Sequence, residues 1–195
     1  MTIRQLNANY LVNEDRILFR LNTHDHAEYR LWLTRRVTLF LLAATAHLLQ
    51  KKLEQIYSSD AAKALSQFGK QAILDATNDA KDVMNSFDSA INFPIGADPL
   101  LVMDVTCSLS KNDEKLAYID RPKEQLNNVM SIDFVLPGGA HLNLKLPENL
   151  VQGMLVLLDQ IRQSAGWGEA VLVEKNIEKK EESVDLKSSS NISIH

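Results

Sequence analysis

The sequence predicts an α+β fold made of two antiparallel strand-meander-plus-helix halves, related by a pseudo-twofold, with a helical hairpin inserted between them. Three observations carry this. Apolar and polar residues alternate through short runs in both the first and the last third of the chain. Each set of runs is followed by a stretch with helical spacing. The pattern of the first set recurs in the second at a fixed offset.

The first set begins near the N-terminus. Leu6, Ala8, Tyr10 and Val12 alternate with Gln5, Asn7, Asn9 and Leu11. Ile17, Phe19 and Leu21 alternate with Arg16, Leu18, Arg20 and Asn22, and Tyr29, Leu31 and Leu33 with Glu28, Arg30, Trp32 and Thr34. Period-two alternation marks half-buried antiparallel strands. Asn13-Glu14-Asp15 and Thr23-His24-Asp25-His26 supply the turns. Thr34 suits a helix N-cap, and a helix is predicted from there to about Tyr57. Its turn Val37, Leu39, Phe40, Leu41 and Leu42 has no polar stripe. Such a helix is covered on several sides, by its own sheet and a helical hairpin or by a second subunit.

Ser58-Ser59-Asp60 can cap a second helix from about Asp60 to Asp88, with an inward stripe at Leu65, Phe68, Ala72, Ala76, Val83 and Phe87. Residues 58–92 are read as the inserted element and 93–99, with two prolines and a glycine, as a linker. The second meander-helix half spans 100–166. Leu101, Met103, Val105, Cys107 and Leu109 alternate in one strand, Met130, Ile132, Phe134 and Leu136 in another, and Leu142, Leu144 and Leu146 in a third. A short strand at Leu116–Ile119 is an option within the polar stretch between them. Pro147 suits the first helical position. The helix that follows carries Leu150, Val151, Met154, Leu155, Leu158 and Ile161. Gly166 suits its C-terminal stop, with Trp167 folding back. After a short strand option at Ala170–Val173, residues 174–195 are charged and then serine-rich, and are read as a disordered tail.

Shifted by 113 positions without gaps, Ile17, Phe19 and Leu21 fall on Met130, Ile132 and Phe134. Tyr29, Leu31 and Leu33 fall on Leu142, Leu144 and Leu146, and Val37, Leu41 and Leu42 on Leu150, Met154 and Leu155. This is an internal repeat of pattern, implying two sheets that share one core. Two unrelated hairpin-helix units would also look alike in this way. The pattern at residues 3–49 and 100–165 resembles, in topology, the Whirly and purine-rich-element (PUR) single-strand-binding folds. The resemblance implies single-stranded nucleic-acid binding, includes no diagnostic motif and transfers no residue.

Composition narrows the function classes. The chain has 195 residues, 45% hydrophobic and 24% charged, ordinary for a globular protein. A net charge of −4 argues against indiscriminate binding to nucleic acid or membranes. A single cysteine, Cys107, permits no intrachain disulfide, and the N-terminus has no apolar leader core, so a cytoplasmic location is expected. The longest apolar run, about Val37 to Leu49, is too short for a bilayer.

The expected binding surface is the outer face of the first meander. If Ile17, Phe19, Leu21, Tyr29, Leu31 and Leu33 face the core, Arg16, Arg20, Arg30 and Trp32 share the opposite side. Arginines neutralise phosphates and an indole stacks on bases, so this face suits single-stranded nucleic acid. Arginine with tryptophan is equally the composition of a protein interface. Residues 1–36 hold six basic and four acidic side chains, whereas the matching face of the second half is acidic and lacks an aromatic platform. The reading is therefore a non-enzymatic protein-binding or assembly protein, a homodimer or partner of another protein, with the nucleic-acid binder as first alternative. An enzyme with an unrecognised site, near His24, His26 and His141, is the second. No cofactor or metal is expected. His24-Asp25-His26 is the one metal-like cluster and reads as a polar turn, because a tight site needs further ligands. Cys107 lies on the apolar side of its strand and reads as core.

Overall fold

The computed structural model describes residues 2–79, 87–88, 90–109 and 128–169. The expected strands at Leu116–Ile119 and Ala170–Val173, residues 80–86 of the expected second helix and the tail lie outside the described residues, whereas Phe87 and Asp88, expected at the end of that helix, are not helical. Within them the fold is α+β, with two antiparallel meanders, β1 (Ile3–Leu11), β2 (Arg16–Thr23), β3 (Glu28–Thr34) and β5 (Asp104–Leu109), β6 (Asn128–Val135), β7 (His141–Pro147). The helices are α1 (Arg35–Glu54), α2 (Ser59–Asp79) and α3 (Glu148–Ser164). A two-residue strand, β4 (Leu100–Leu101), runs parallel to β3 and makes the first sheet four-stranded.

The alternation places the core as expected. Ile17, Phe19, Leu21, Leu31 and Leu33 have no solvent exposure, nor do Met130, Ile132, Phe134, Leu144 and Leu146, and both sets join one cluster. α1 and α3 each bridge the two sheets. α1 packs on β3 and on β5, and α3 on β6, β7 and β1. Contacts with α2 and α3 close the remaining sides of α1, which accounts for its apolar circumference. Phe40, at 46% exposure, is the exception in that run.

Local signals at the helix ends hold. The Thr34 hydroxyl accepts the Val37 N–H. Pro147 sits one residue earlier than expected, as the N-cap of α3 rather than its first residue. Gly166, with φ of 65°, turns the chain beyond α3, and Trp167 folds back with 3% exposure. Its indole N–H donates to Asp15 Oδ1 at 2.7 Å, and its ring stands nearly perpendicular to that of Tyr10, with centroids 5.5 Å apart.

Two expectations need correction. The strand expected from Leu101 is two pieces. Val102 N–H donates to the Trp32 carbonyl in the first sheet, while Met103 N–H donates to the Val135 carbonyl in the second. The chain thus changes sheets between adjacent residues, which turns Val102 inward at 2% exposure and Met103 outward at 50%. The second correction concerns α2. Its inward residues are Ala62, fully buried, and half-buried Gly69 and Ile73, whereas Leu65 is 43% and Phe68 75% exposed. The helix meets its neighbours along one edge of its apolar stripe, and the rest of the stripe faces out.

Candidate interaction surfaces

The outer face of the first sheet is built by β1, β2 and β3 in register. Arg20 lies opposite Asn7 on one side and Arg30 on the other, and Leu18 lies opposite Trp32. All four residues singled out by the sequence, Arg16, Arg20, Arg30 and Trp32, are therefore on one surface, and all are half-buried. What the sequence did not reveal is that residues 87–88 and 90–97 run over part of it. The Arg20 guanidinium lies over the Phe87 ring at 4.3 Å, and that of Arg30 over Phe93 at 4.5 Å. Arg30 also donates to Glu28 at 2.8 Å and to the Ala97 carbonyl at 3.0 Å. Arg20 donates from two nitrogens to Asn7 Oδ1.

The polar residues around them are committed in the same way. Asn22 donates to Gln5 and to the Asp88 carbonyl, and Arg4 pairs with Asp88 at 2.7 Å. Glu28 has no exposure, although it lies in an outward register position, and accepts the Ala90 N–H with its second oxygen. A buried carboxylate requires a paired cation and hydrogen bonds, and Arg30 and Ala90 supply them. Arg16 is held more loosely, 3.8 Å from Glu14 and 42% exposed. The sequence signal for this cover was faint. Phe87 and Phe93 flank a polar stretch, and an aromatic there has little reason to exist unless it docks.

The second surface is α2. Phe68 stands near the middle of the helix, with Leu65 almost a turn before it and exposed Ala72 about a turn after. Ile56 and Tyr57, at the entry to the helix, are 70% and 47% exposed. α2 is held to α3 by Lys70, whose ammonium meets Asp159 at 2.7 Å.

The remaining candidates are ordinary in their surroundings. His24, Asp25 and His26 are exposed in the β2–β3 turn, and His26 takes a left-handed φ of 57°. Among the described residues, no three His, Cys, Asp or Glu side chains come together to hold a metal ion. His141 lies in β7 and meets Asp133 of β6 at 2.6 Å, pairing with a carboxylate rather than with Cys107. Cys107 faces α1, its sulfur 4.0 Å from the Thr45 hydroxyl. Burial pushes its pKa up to about 11, against a smaller opposing pull from Thr45. No described helix is long and apolar enough to cross a membrane. Comparisons with protein-family models, with curated proteins and with solved structures found no match.

Proposed function

We propose that this chain is a non-enzymatic binding or assembly protein that acts through protein contacts, with a second copy of itself docked on α2. The observation that carries the reading is the exposure of Phe68 and Leu65 on a helix that buries only one edge of its apolar stripe. Large apolar side chains clustered in the open mark interaction sites more often than solvated surface. The arrangement suits a twofold contact. With Phe68 near the axis, an antiparallel crossing sets bulky Leu65 of one copy against small Ala72 of the other.

Magnitudes bound the strength. Two phenylalanines and two leucines contribute roughly 6–12 kcal/mol if fully buried, before the cost of association. Leu65 is already partly covered, so micromolar association is the expected range. Sedimentation of the full chain over a wide concentration series tests this. Wild type should dimerise, and Phe68→Glu should remain monomeric with an unchanged melting temperature. A wild type that stays monomeric to about 100 μM, or a Phe68→Glu variant that still dimerises, would overturn the reading.

The single-stranded nucleic-acid alternative is less well supported by the same geometry. Arg20 and Arg30 already hold the chain's own Phe87, Phe93 and Ala97. Salt-dependent phosphate binding needs several cations available at once.

A further inference from the structure

The cover on the outer face of the first sheet is held as a bound peptide is held. Its main chain makes most of the bonds. Asn92 bridges in parallel to Ala27, just before β3. Its carbonyl accepts the Glu28 N–H at 2.8 Å, and its N–H donates to the His26 carbonyl at 3.3 Å. The Ala90 N–H donates to Glu28, while the Asp88 and Ala97 carbonyls accept from Asn22 and Arg30. Three side chains add selectivity. Phe87 lies under the Arg20 guanidinium, Phe93 under that of Arg30, and the Asp88 carboxylate meets Arg4 at 2.7 Å.

The cover is lightly attached. None of residues 87–88 and 90–97 is buried, and Ile91 is 90% exposed. A segment with few buried apolar contacts and exposed hydrogen bonds opens more readily than the core does. The surface beneath it is charged and amide-rich. A cover that served stability alone would gain little from ion pairs, because apolar packing stabilises as well. The same face continues past the two rings. The next residues along β2 and β3 are Leu18 and Trp32, opposite one another, and then Arg16, all half-buried.

We infer that the cover is an autoinhibitory strap, and that the surface beneath it receives a peptide segment of a partner protein with an acidic residue and two aromatics spaced as Asp88, Phe87 and Phe93 are. The strap's own bonds select a polypeptide. A nucleic acid has no backbone amide for the His26 carbonyl, and the buried Glu28 carboxylate repels phosphate. Backbone pairing gives such a peptide affinity, and the arginine planes give it selectivity. The tethered strap competes at an effective concentration of about 1 mM, so the closed chain admits a partner only weakly. Trp32 and Arg16 offer an incoming segment contacts beyond the strap's two rings. This surface is separate from the exposed stripe of α2, and the inference stands whether or not that stripe makes a dimer.

Fluorescence anisotropy of a labelled synthetic peptide with the sequence of residues 87–97 tests it on the full chain. Phe87→Ala with Phe93→Ala loosens the strap and leaves the receiving surface intact. This variant should bind the free peptide about tenfold or more tighter than wild type. Adding Arg20→Gln to it should weaken the binding, a scrambled peptide should bind poorly, and Phe68→Glu should change neither result. A displayed library of random peptides of the strap's length, selected on the loosened variant, should enrich an acid beside one aromatic with a second aromatic further along. A second measurement needs no variant. In wild type, millimolar peptide should speed hydrogen exchange of the Ala90 and Asn92 amides by displacing the strap, while the Glu28 amide stays protected. Equal binding by wild type and the loosened variant, enrichment without that pattern, or Ala90 and Asn92 amides that do not respond would each overturn the proposal and leave the strap a structural cover. Tighter binding of a single-stranded oligonucleotide than of the peptide by the loosened variant would overturn the choice of occupant.

Discussion

Asp15 ties its own hairpin, through Tyr10, to Trp167 at the far end of the fold's sequence. One of its oxygens accepts both the Tyr10 hydroxyl and the Trp167 indole N–H, each at 2.7 Å. Those two bonds, the Tyr10 one first, hold its pKa below the usual carboxylate value. A depressed folded pKa means stability that is present above the unfolded pKa, about 4, and lost as the pH falls through the folded value. Asp15→Asn should therefore melt below wild type at pH 7, and the gap should close as the pH is lowered past 4, as thermal melts across pH would show. Persistence of the full gap at the acid end would mean that shape rather than charge is at work. Glu28 and Arg30 make a sharper case. Arg30→Ala strands a fully buried carboxylate and should cost about 3–5 kcal/mol in chemical denaturation, whereas Arg30→Ala with Glu28→Gln should recover part of it. Cys107 should react slowly with a small thiol reagent in the native state at pH 8, since a pKa of about 11 leaves few thiolates. Reaction at the rate of the denatured chain would place the sulfur in solvent.

Elements were legible in the sequence where their signals are local. The strand alternation of β2, β3, β6 and β7, the Thr34 cap and the Gly166–Trp167 stop each depend on residues within a few positions, and each appears in the structure. Gly166→Ala should test the last of these. Its φ of 65° disfavours a side chain, so a loss of about 1 kcal/mol is expected in urea denaturation. The facing of α2 was not legible, because its apolar stripe is broader than the contact it makes, and periodicity cannot say which edge of a stripe meets a neighbour. The change of sheet at Val102–Met103 was hidden for a related reason. Period-two alternation of residue types runs through it in the sequence, whereas in the structure the hydrogen-bond partners switch and the facing of Val102 and Met103 reverses.

For the whole molecule, the candidate surface was legible in composition but not in state. The sequence assembles Arg16, Arg20, Arg30 and Trp32 on one face, yet an arginine reads the same whether it waits for a ligand or stacks on Phe87 and Phe93. The cover comes from residues more than fifty positions away, beyond the reach of any local pattern.

The packing of α3 on β1, with Trp167 locked to Asp15 across 152 positions, also sets a timetable for biosynthesis. The first three strands leave the ribosome early, but part of the cover on their apolar face is made last. At about 5–20 residues per second, the nascent chain carries Ile17, Phe19 and Leu21 incompletely covered for on the order of ten seconds. Over that interval the unfinished sheet is a substrate for chaperones and a seed for aggregation. Synonymous codon changes that slow translation between β3 and α3 should therefore lower soluble yield without altering the finished protein.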